Sequence, residues 1–314
     1  MPETKSLKED STRPWPSQRR VEYFWMIMGK CNYRCPYCVY GTPDVHFDRR
    51  RVERYYTAEQ WLSRWRRMHA LYGEGNIILT GGEPTLYPGF ADLTAELTEL
   101  FWLAFDTNLS WELPQLQAFL ARVKPSRLRV ETSFHPHTAP TAPFIEKLAA
   151  VRDAGFGYIA RLVVYPDLLP RLDEFQEAFA RRGLTFVANP FQGQYEGRKY
   201  PQAYTDEQKA RIAAATVGIE ASAENASHKE FVNQILARES PRGRLCRSGY
   251  QHVRIEDDGM VYRCGEYSTK QWEPLGQFFD DALALWEQPR LCRSDVCEWE
   301  YRWLADQAER FQNG

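Results

Sequence analysis

Three cysteines, Cys31, Cys35 and Cys38, stand in the run CNYRCPYC of a 314-residue chain. Cysteine thiolates hold iron–sulfur clusters, and full ligation of a [4Fe–4S] cube takes four of them. A loop with three thiolates leaves one iron open, and an open metal position is where chemistry happens. The other chemistry open to such a run is a structural zinc site. Zinc sites usually pair their ligands as C-x2–4-C with a second Cys or His pair. A three-then-two spacing with an aromatic, Tyr37, inside it fits zinc poorly. Four more cysteines follow far downstream: Cys246 and Cys264, with Gly259 five positions before the second, then Cys292 and Cys297. The seven divide naturally into three plus four.

The elements that must position these groups read as an alternation. Val21–Met28 is a nearly unbroken apolar run, as a strand buried on both faces would be. Thr57 and Gln60 form a capping-box pattern, and behind it Trp61, Trp65, Met68 and Tyr72 recur at helical spacing as a core stripe. Strands are then predicted at Asn76–Thr80, Leu103–Thr107, Leu128–Ser133, Tyr158–Tyr165 and Leu184–Ala188. Helices are predicted between them at Phe90–Leu100, Leu113–Val123, Pro143–Ala154 and Leu168–Arg182. Six strands with intervening helices imply a parallel sheet with right-handed crossovers. Residues 191–204 read as a loop. Thr205 and Gln208 make a second capping box, opening a helix to about Thr216, and a further helix is predicted at Phe231–Leu236. Tyr250–Glu256 and Met260–Arg263 around Asp257-Asp258-Gly259 read as a hairpin. A short helix is expected from Asp280-Asp281 through Leu283, Leu285 and Trp286. No internal repeat is evident outside the β/α units.

Gly81-Gly82-Glu83-Pro84 follows the second strand directly. Two glycines let backbone approach a ligand closely, and a carboxylate can accept hydrogen bonds from an ammonium group. By itself the motif also suits an ordinary turn. Thr107-Asn108 ends the third strand and Ser133 the fourth. Arg161 lies within the fifth, where a buried charge needs a partner. His135 and His137 sit just above the fourth strand and read as surface-loop histidines. The run Arg49-Arg50-Arg51 with Arg54 reads as a solvated face.

The cysteine run with its aromatic, followed one β/α unit later by GGE, resembles the radical SAM (S-adenosylmethionine) superfamily. The resemblance covers about residues 20–190. It implies an α/β fold, a partial (β/α)6 TIM-like barrel, with sites at the C-terminal ends of the strands. It implies a [4Fe–4S] cluster on Cys31, Cys35 and Cys38, whose open iron takes the amino and carboxylate groups of SAM. Cleavage of SAM then yields a 5′-deoxyadenosyl radical that abstracts hydrogen. Tyr37, Gly81, Gly82, Glu83, Asn108, Ser133 and Arg161 are the implied cofactor-binding set, with Glu83 toward the SAM amine and Arg161 toward its carboxylate.

Cys246, Gly259 and Cys264 resemble the C-x9–15-G-x4-C signature of SPASM and twitch extensions. Four cysteines in place of the seven of a full SPASM domain imply the twitch type, with one auxiliary [4Fe–4S] cluster on Cys246, Cys264, Cys292 and Cys297. The last pair departs from the C-x2-C common in that group. If Cys292 or Cys297 is not a ligand, it is a candidate hydrogen donor. A zinc site on these four cysteines is the plainer alternative.

The expected organisation is a tail over 1–19, the barrel over 20–195, a helical linker over 196–243, and a small C-terminal extension over 244–314 with a hairpin and a helix. The implied function is dehydrogenation or epimerisation of a small polar substrate, a sugar or aminocyclitol, with a flavodoxin- or ferredoxin-type reductant. The alternatives are modification of a ribosomally made peptide and a non-enzymatic iron–sulfur electron carrier. The chain shows no extra N-terminal region of the kind that grips a leader peptide, which favours the small substrate. A net charge of −2 offers no basic field for nucleic acid. No signal peptide or membrane span is read, so a reducing, cytoplasmic setting is expected.

Overall fold

The computed structural model describes residues 21–38, 55–215, 240–264, 274–295 and 297. The expected tail, the arginine run at Arg49–Arg54 and the helix at Phe231–Leu236 lie outside the described residues. Six strands and the five helices between them build the core. β1 (Glu22–Met28) leads to α1 (Ala58–Tyr72), β2 (Asn76–Gly81), α2 (Phe90–Thr98), β3 (Trp102–Thr107) and α3 (Leu113–Leu120). β4 (Leu128–Phe134), α4 (Thr141–Asp153), β5 (Gly157–Val164), α5 (Leu172–Ala180) and β6 (Val187–Pro190) complete it. β1 to β6 pair in sequence order, all parallel. Parallel neighbours require crossover helices, and these cover one face.

The two faces of the sheet differ in chemistry because side chains alternate along each strand. Toward the helices point rings: Phe105 meets Phe90 and Phe119, and Phe134 meets Phe144, Phe175 and Phe179. On β1, Trp25 packs on Trp61 and Trp65 of α1, the predicted stripe. The capping box forms as read: the Gln60 N–H donates to Thr57 Oγ1 and the Thr57 N–H to Gln60 Oε1. The concave face carries the intervening residues, among them Asp106, Arg129, Glu131 and Arg161.

Beyond β6 the expected loop holds a small hairpin, β7 (Gly193–Tyr195) with β8 (Arg198–Tyr200). α6 (Asp206–Ala215) opens from the Thr205 box, as read. Next come β9 (Leu245–Cys246), β10 (His252–Ile255), β11 (Met260–Tyr262), β12 (Pro274–Gln277) and β13 (Arg290–Leu291). The predicted hairpin is β10–β11. β10 also pairs parallel with β1 and β11 with β12, so the hairpin and β12 continue the barrel sheet to nine strands.

The helix expected from Asp280 does not form. Asp280 Oδ1 accepts from the Ala282 N–H and closes a turn. The Leu285 N–H donates to Tyr72 Oη and the Trp286 N–H to the Gly249 carbonyl, so neither serves a helical ladder. Arg64 and Arg67 of α1 donate to the carbonyls of Phe278, Asp280 and Asp281. Leu283 and Leu285 are buried, as an apolar reading required, but on an extended segment.

Trp65 is fully buried among Tyr23, Trp25, Phe101 and Phe278. Trp65→Ala is expected to cost about 3–5 kcal/mol in urea unfolding; a loss below about 1 kcal/mol would show that the stripe is not core.

Candidate active site

Because every barrel strand runs the same way, the exits of β1 to β6 gather at one rim. The loop leaving β1 carries Cys31, Cys35 and Cys38, all partly exposed. The Tyr33 N–H donates to Cys31 Sγ at 3.3 Å, a bond that stabilises thiolate charge. The loop leaving β2 lies directly against it. A Cβ on Gly81 would stand 2.3 Å from the Met28 carbonyl oxygen, and one on Gly82 would stand 2.3 Å from that of Lys30. The two glycines therefore let backbone press on backbone at the root of the cysteine loop. The Gly82 and Glu83 N–H groups donate to those same carbonyls, at 2.8 and 2.9 Å.

Glu83 is wholly buried. Its Oε1 accepts from Thr85 N–H and Oγ1 and from Thr107 Oγ1, at 3.2, 2.6 and 2.8 Å. Its Oε2 accepts from the Asn108 N–H at 2.7 Å. Burial raises its pKa, and these bonds pull the other way. Each carboxylate oxygen offers about two lone-pair positions; Oε1 shares its pair among three donors, whereas Oε2 takes one and keeps its second position. Asn108 in turn reaches Asn32 Oδ1 at 2.8 Å and lies 3.9 Å from Cys31 Sγ. The structure thus brings Gly81, Gly82, Glu83 and Asn108 together with Cys31.

Arg161 does not face solvent. It pairs with Asp106 at 3.2 Å and with Glu131, which Arg129 also holds. Its partners are the chain's own carboxylates on β3 and β4. Burial works against ionising Glu131, yet Arg161 and Arg129 outweigh it and hold the carboxyl at about 2. Asp106 is pushed up to about 6 by burial, against the pull of Arg161. Ser133 sits in register with Arg161, half-buried on the same face.

Tyr37 and His135 share a hydrogen bond of 3.0 Å. Tyr37 is buried and its phenol is raised by burial; His135 is lowered to about 4 by burial, so its ring is neutral. His137 bonds Asp167 at 2.9 Å, and Tyr165 packs on Tyr37. The surface-loop reading of His135 therefore fails: the residue joins the cysteine loop. The x-His-x-His pattern on a strand exit was the available signal.

Two features were missed. Asp257, in the β10–β11 turn, accepts from the Gly29 N–H at 3.0 Å and so braces the start of the cysteine loop. The other is a repeat: R-L-C-R-S occurs at 244–248 and again at 290–294. Leu245 pairs with Leu291 and Cys246 with Arg290, so the copies are related by a local two-fold. The Ser248 N–H donates to Cys246 Sγ at 3.5 Å, and the Ser294 N–H serves Cys292 in the same way. A hydrogen bond from Cys292 lowers Cys246 to about 5. Cys264 is close enough for its charge to act on Cys292. Cys297 is partly exposed.

Residues 25–183, just over half of the chain, match the radical SAM superfamily. This chain is a member of the radical SAM superfamily. Membership makes it an enzyme and implies SAM and a [4Fe–4S] cluster. The three-thiol loop, with its donor onto Cys31 and the free position on Glu83, fits that pair. Among curated proteins it is similar to 7-carboxy-7-deazaguanine synthase of Haemophilus influenzae, 29% identical over 136 residues, 43% of this chain and 56% of that one. It is also 32% identical over 144 residues to GTP 3′,8-cyclase of Edwardsiella ictaluri, 41% of each chain. The chain thus spans about half the length of the curated relatives it matches. Its fold is similar to that of Streptococcus suis SuiB bound to precursor peptide SuiA, with TM-score 0.58, 15% identity, and coverage of 84% of this chain and 64% of that one. It is similar to anSMEcpe with bound AdoMet as well, with TM-score 0.52, 14% identity, and coverage of 82% and 78%. No helix among the described residues is long and apolar enough to cross a membrane.

Glu83→Gln sets an amide N–H₂ against a bonded donor, and is expected to cost about 1–3 kcal/mol by urea unfolding. An unchanged unfolding midpoint would mean that Glu83 is not the strut described. Asp257 is raised to about 6, first by burial and then by Glu256 and Asp258. Its stabilising contribution is full below about pH 4 and is lost as pH rises through about 6. Asp257→Asn keeps an acceptor for Gly29 without the charge. Relative to wild type it should therefore gain about 1–3 kcal/mol between about pH 4 and 7.5; a pH-independent difference contradicts this.

Proposed function

We propose that this radical SAM enzyme abstracts hydrogen from a small polar substrate held on the concave face of its barrel, giving dehydrogenation or epimerisation. When bound, the cluster on Cys31, Cys35 and Cys38 and SAM together supply a 5′-deoxyadenosyl radical. The observation that carries the substrate reading is the charged lattice of Asp106, Glu131, Arg129 and Arg161 on that face. A face so polar suits hydroxyl or amino groups and poorly suits an apolar ligand. The names of the curated relatives, a deazaguanine synthase and GTP cyclases, also point to small polar molecules.

The chain's own residues divide the work. Glu83 and Asn108 fix the cysteine loop, and the remaining position on Glu83 Oε2 is the acceptor for the SAM amine. Tyr37 and His135 close the rim beside that loop and exclude water. Ser133 and Arg161 line the face below, Arg161 as the candidate partner of the SAM carboxylate. Asp106, with its carboxyl near 6, can hold or release a proton close to neutral pH. Cys246, Cys264, Cys292 and Cys297 are the proposed ligands of an auxiliary cluster in a twitch-like extension. The twin N–H···S bonds at Cys246 and Cys292 support them as ligands, which leaves Cys297 as the candidate hydrogen donor if one thiol is spare. A flavodoxin- or ferredoxin-type protein is the proposed reductant.

The test is anaerobic. Reduced, reconstituted enzyme with SAM should release 5′-deoxyadenosine, and a carbon-deuterated sugar or cyclitol substrate should pass deuterium into it. Iron should reach about eight atoms per chain, falling to about four in Cys246→Ser. No 5′-deoxyadenosine at all would point to an electron carrier, and deuterium transfer only from a peptide would replace the small-substrate reading.

A further inference from the structure

At the exits of β5 and β6 the rim is built of rings. Tyr165 and Phe191 stand one residue past their strands, with centroids 4.8 Å apart and planes at 80°. Tyr195, on β7, meets Tyr165 at 4.9 Å and 78°. Tyr37 of the cysteine loop lies 5.3 Å from Tyr165, so the rings and that loop share a wall. Rings set near right angles turn several π faces, each electron-rich, around one place. Tyr204 fixes the wall: the Phe191 N–H donates to its Oη at 3.1 Å, and its O–H donates to the Val164 carbonyl. Two carboxylates stand beside these rings. Asp167 follows Tyr165 by two positions and shares a 2.9 Å hydrogen bond with His137, whose ring lies 6.1 Å from that of Tyr165. Glu196 sits at the tip of the β7–β8 hairpin, where it and Gly197 form a two-residue turn with φ of 48° and 73°. The charge of Asp167 reaches Tyr37, Tyr165 and Tyr195, and that of Glu196 reaches Tyr165 and Tyr195. Among the described residues no arginine or lysine pairs with either carboxylate or lies on the Tyr165 or Tyr195 ring. Arg198 is opposite Tyr195 in the hairpin register and is exposed.

We propose that this corner of rings and carboxylates is the subsite for a protonated amine on the substrate, which makes that substrate an amino-bearing polar molecule and not a neutral sugar or a nucleotide. The inference deepens the reading of a small polar substrate and rests on it. Three physical arguments support it. A cation over tyrosine faces is attracted by the ring quadrupole, more strongly as it loses water. Two carboxylates add to that attraction and repel phosphate, which sets the corner against nucleotides. Rings already held through Tyr204 lose little freedom on binding. The charged lattice lies along the same strands, with Arg161 four positions before Tyr165 on β5. It receives the polar remainder of the substrate. Because Tyr37 is the shared wall, the amine end is the end beside the cysteine loop.

The experiment is equilibrium dialysis on the full, anaerobically loaded chain with SAM, with glucosamine, N-acetylglucosamine and glucose as probes, at a pH that protonates the amine. Glucosamine is expected to bind about tenfold more tightly than either neutral probe. Tyr195→Leu should remove about threefold or more of that preference. Asp167→Asn with Glu196→Gln should bring glucosamine to within about twofold of glucose, with the Kd for glucose unmoved. Both carboxylates are exposed, and the amides keep their shape. Glu196→Gln alone covers the case in which the double variant does not fold, and should show part of the loss. Equal affinities for the three probes in wild type overturn the proposal, as does a preference that survives in every folded variant. GMP bound more tightly than glucosamine, and weakened by Tyr195→Leu, would make the rings a platform for a nucleobase and overturn it as well. Deuterium transfer into 5′-deoxyadenosine separates the two readings. An amine preference that the variants abolish, with deuterium passing only from a peptide, keeps the amine subsite and removes the small substrate. Deuterium from a neutral sugar, with no amine preference, does the reverse.

Discussion

A carboxylate sealed inside a protein is costly unless its oxygens are satisfied, and Glu83 is the point on which this rim turns. Four donors from three residues converge on it. Two of those residues, Thr107 and Asn108, belong to the exit of β3, so the exit of β2 is tied to that of its neighbour. Asn108 carries the restraint on to Asn32 and Cys31. The glycine pair completes the linkage by letting the β2 exit lie on the Met28 and Lys30 carbonyls. The cysteine loop is thus held through backbone contacts and one buried charge, with its three cysteines partly exposed.

The sheet divides its chemistry between its faces. Aromatic rings fill the helix side, where burial is favourable without further conditions. The concave side holds opposite charges in shared pairs, with Glu131 between Arg129 and Arg161. Such a lattice adds little net stability compared with apolar packing. It fixes side-chain positions and leaves a polar lining, which is of use to a binding face and of none to a core.

The residue pattern made the β/α alternation readable because each strand is short, apolar and bounded by turn residues, and because α1 shows its stripe openly. The Cys31–Cys38 loop and the GGE segment were readable as chemistry for the same reason: their meaning is local. The partners of Arg161 were not, since they depend on the register of three adjacent strands. The supposed helix at Asp280 misled through its acidic start and apolar residues. Leu283 and Leu285 are two apart, which is the spacing of an extended chain, and it was Arg64 and Arg67, more than 200 residues earlier, that claimed its carbonyls. His135 looked like a loop residue because nothing near it in the chain announces Tyr37.

The pairing of β1 with both β2 and β10 has a consequence for biosynthesis. Glu22 and His252, 230 residues apart, bond across one edge of β1. Once the ribosome releases EYFWMIM, β2 covers one side of it soon after. The other side stays open until β10 follows, 230 residues after Glu22. An apolar strand with an unpaired edge invites association with other nascent chains. The segment that leads into the first cysteines is therefore made long before its second edge is sealed, and cells that overproduce this protein faster than they can shield it should collect it as insoluble material.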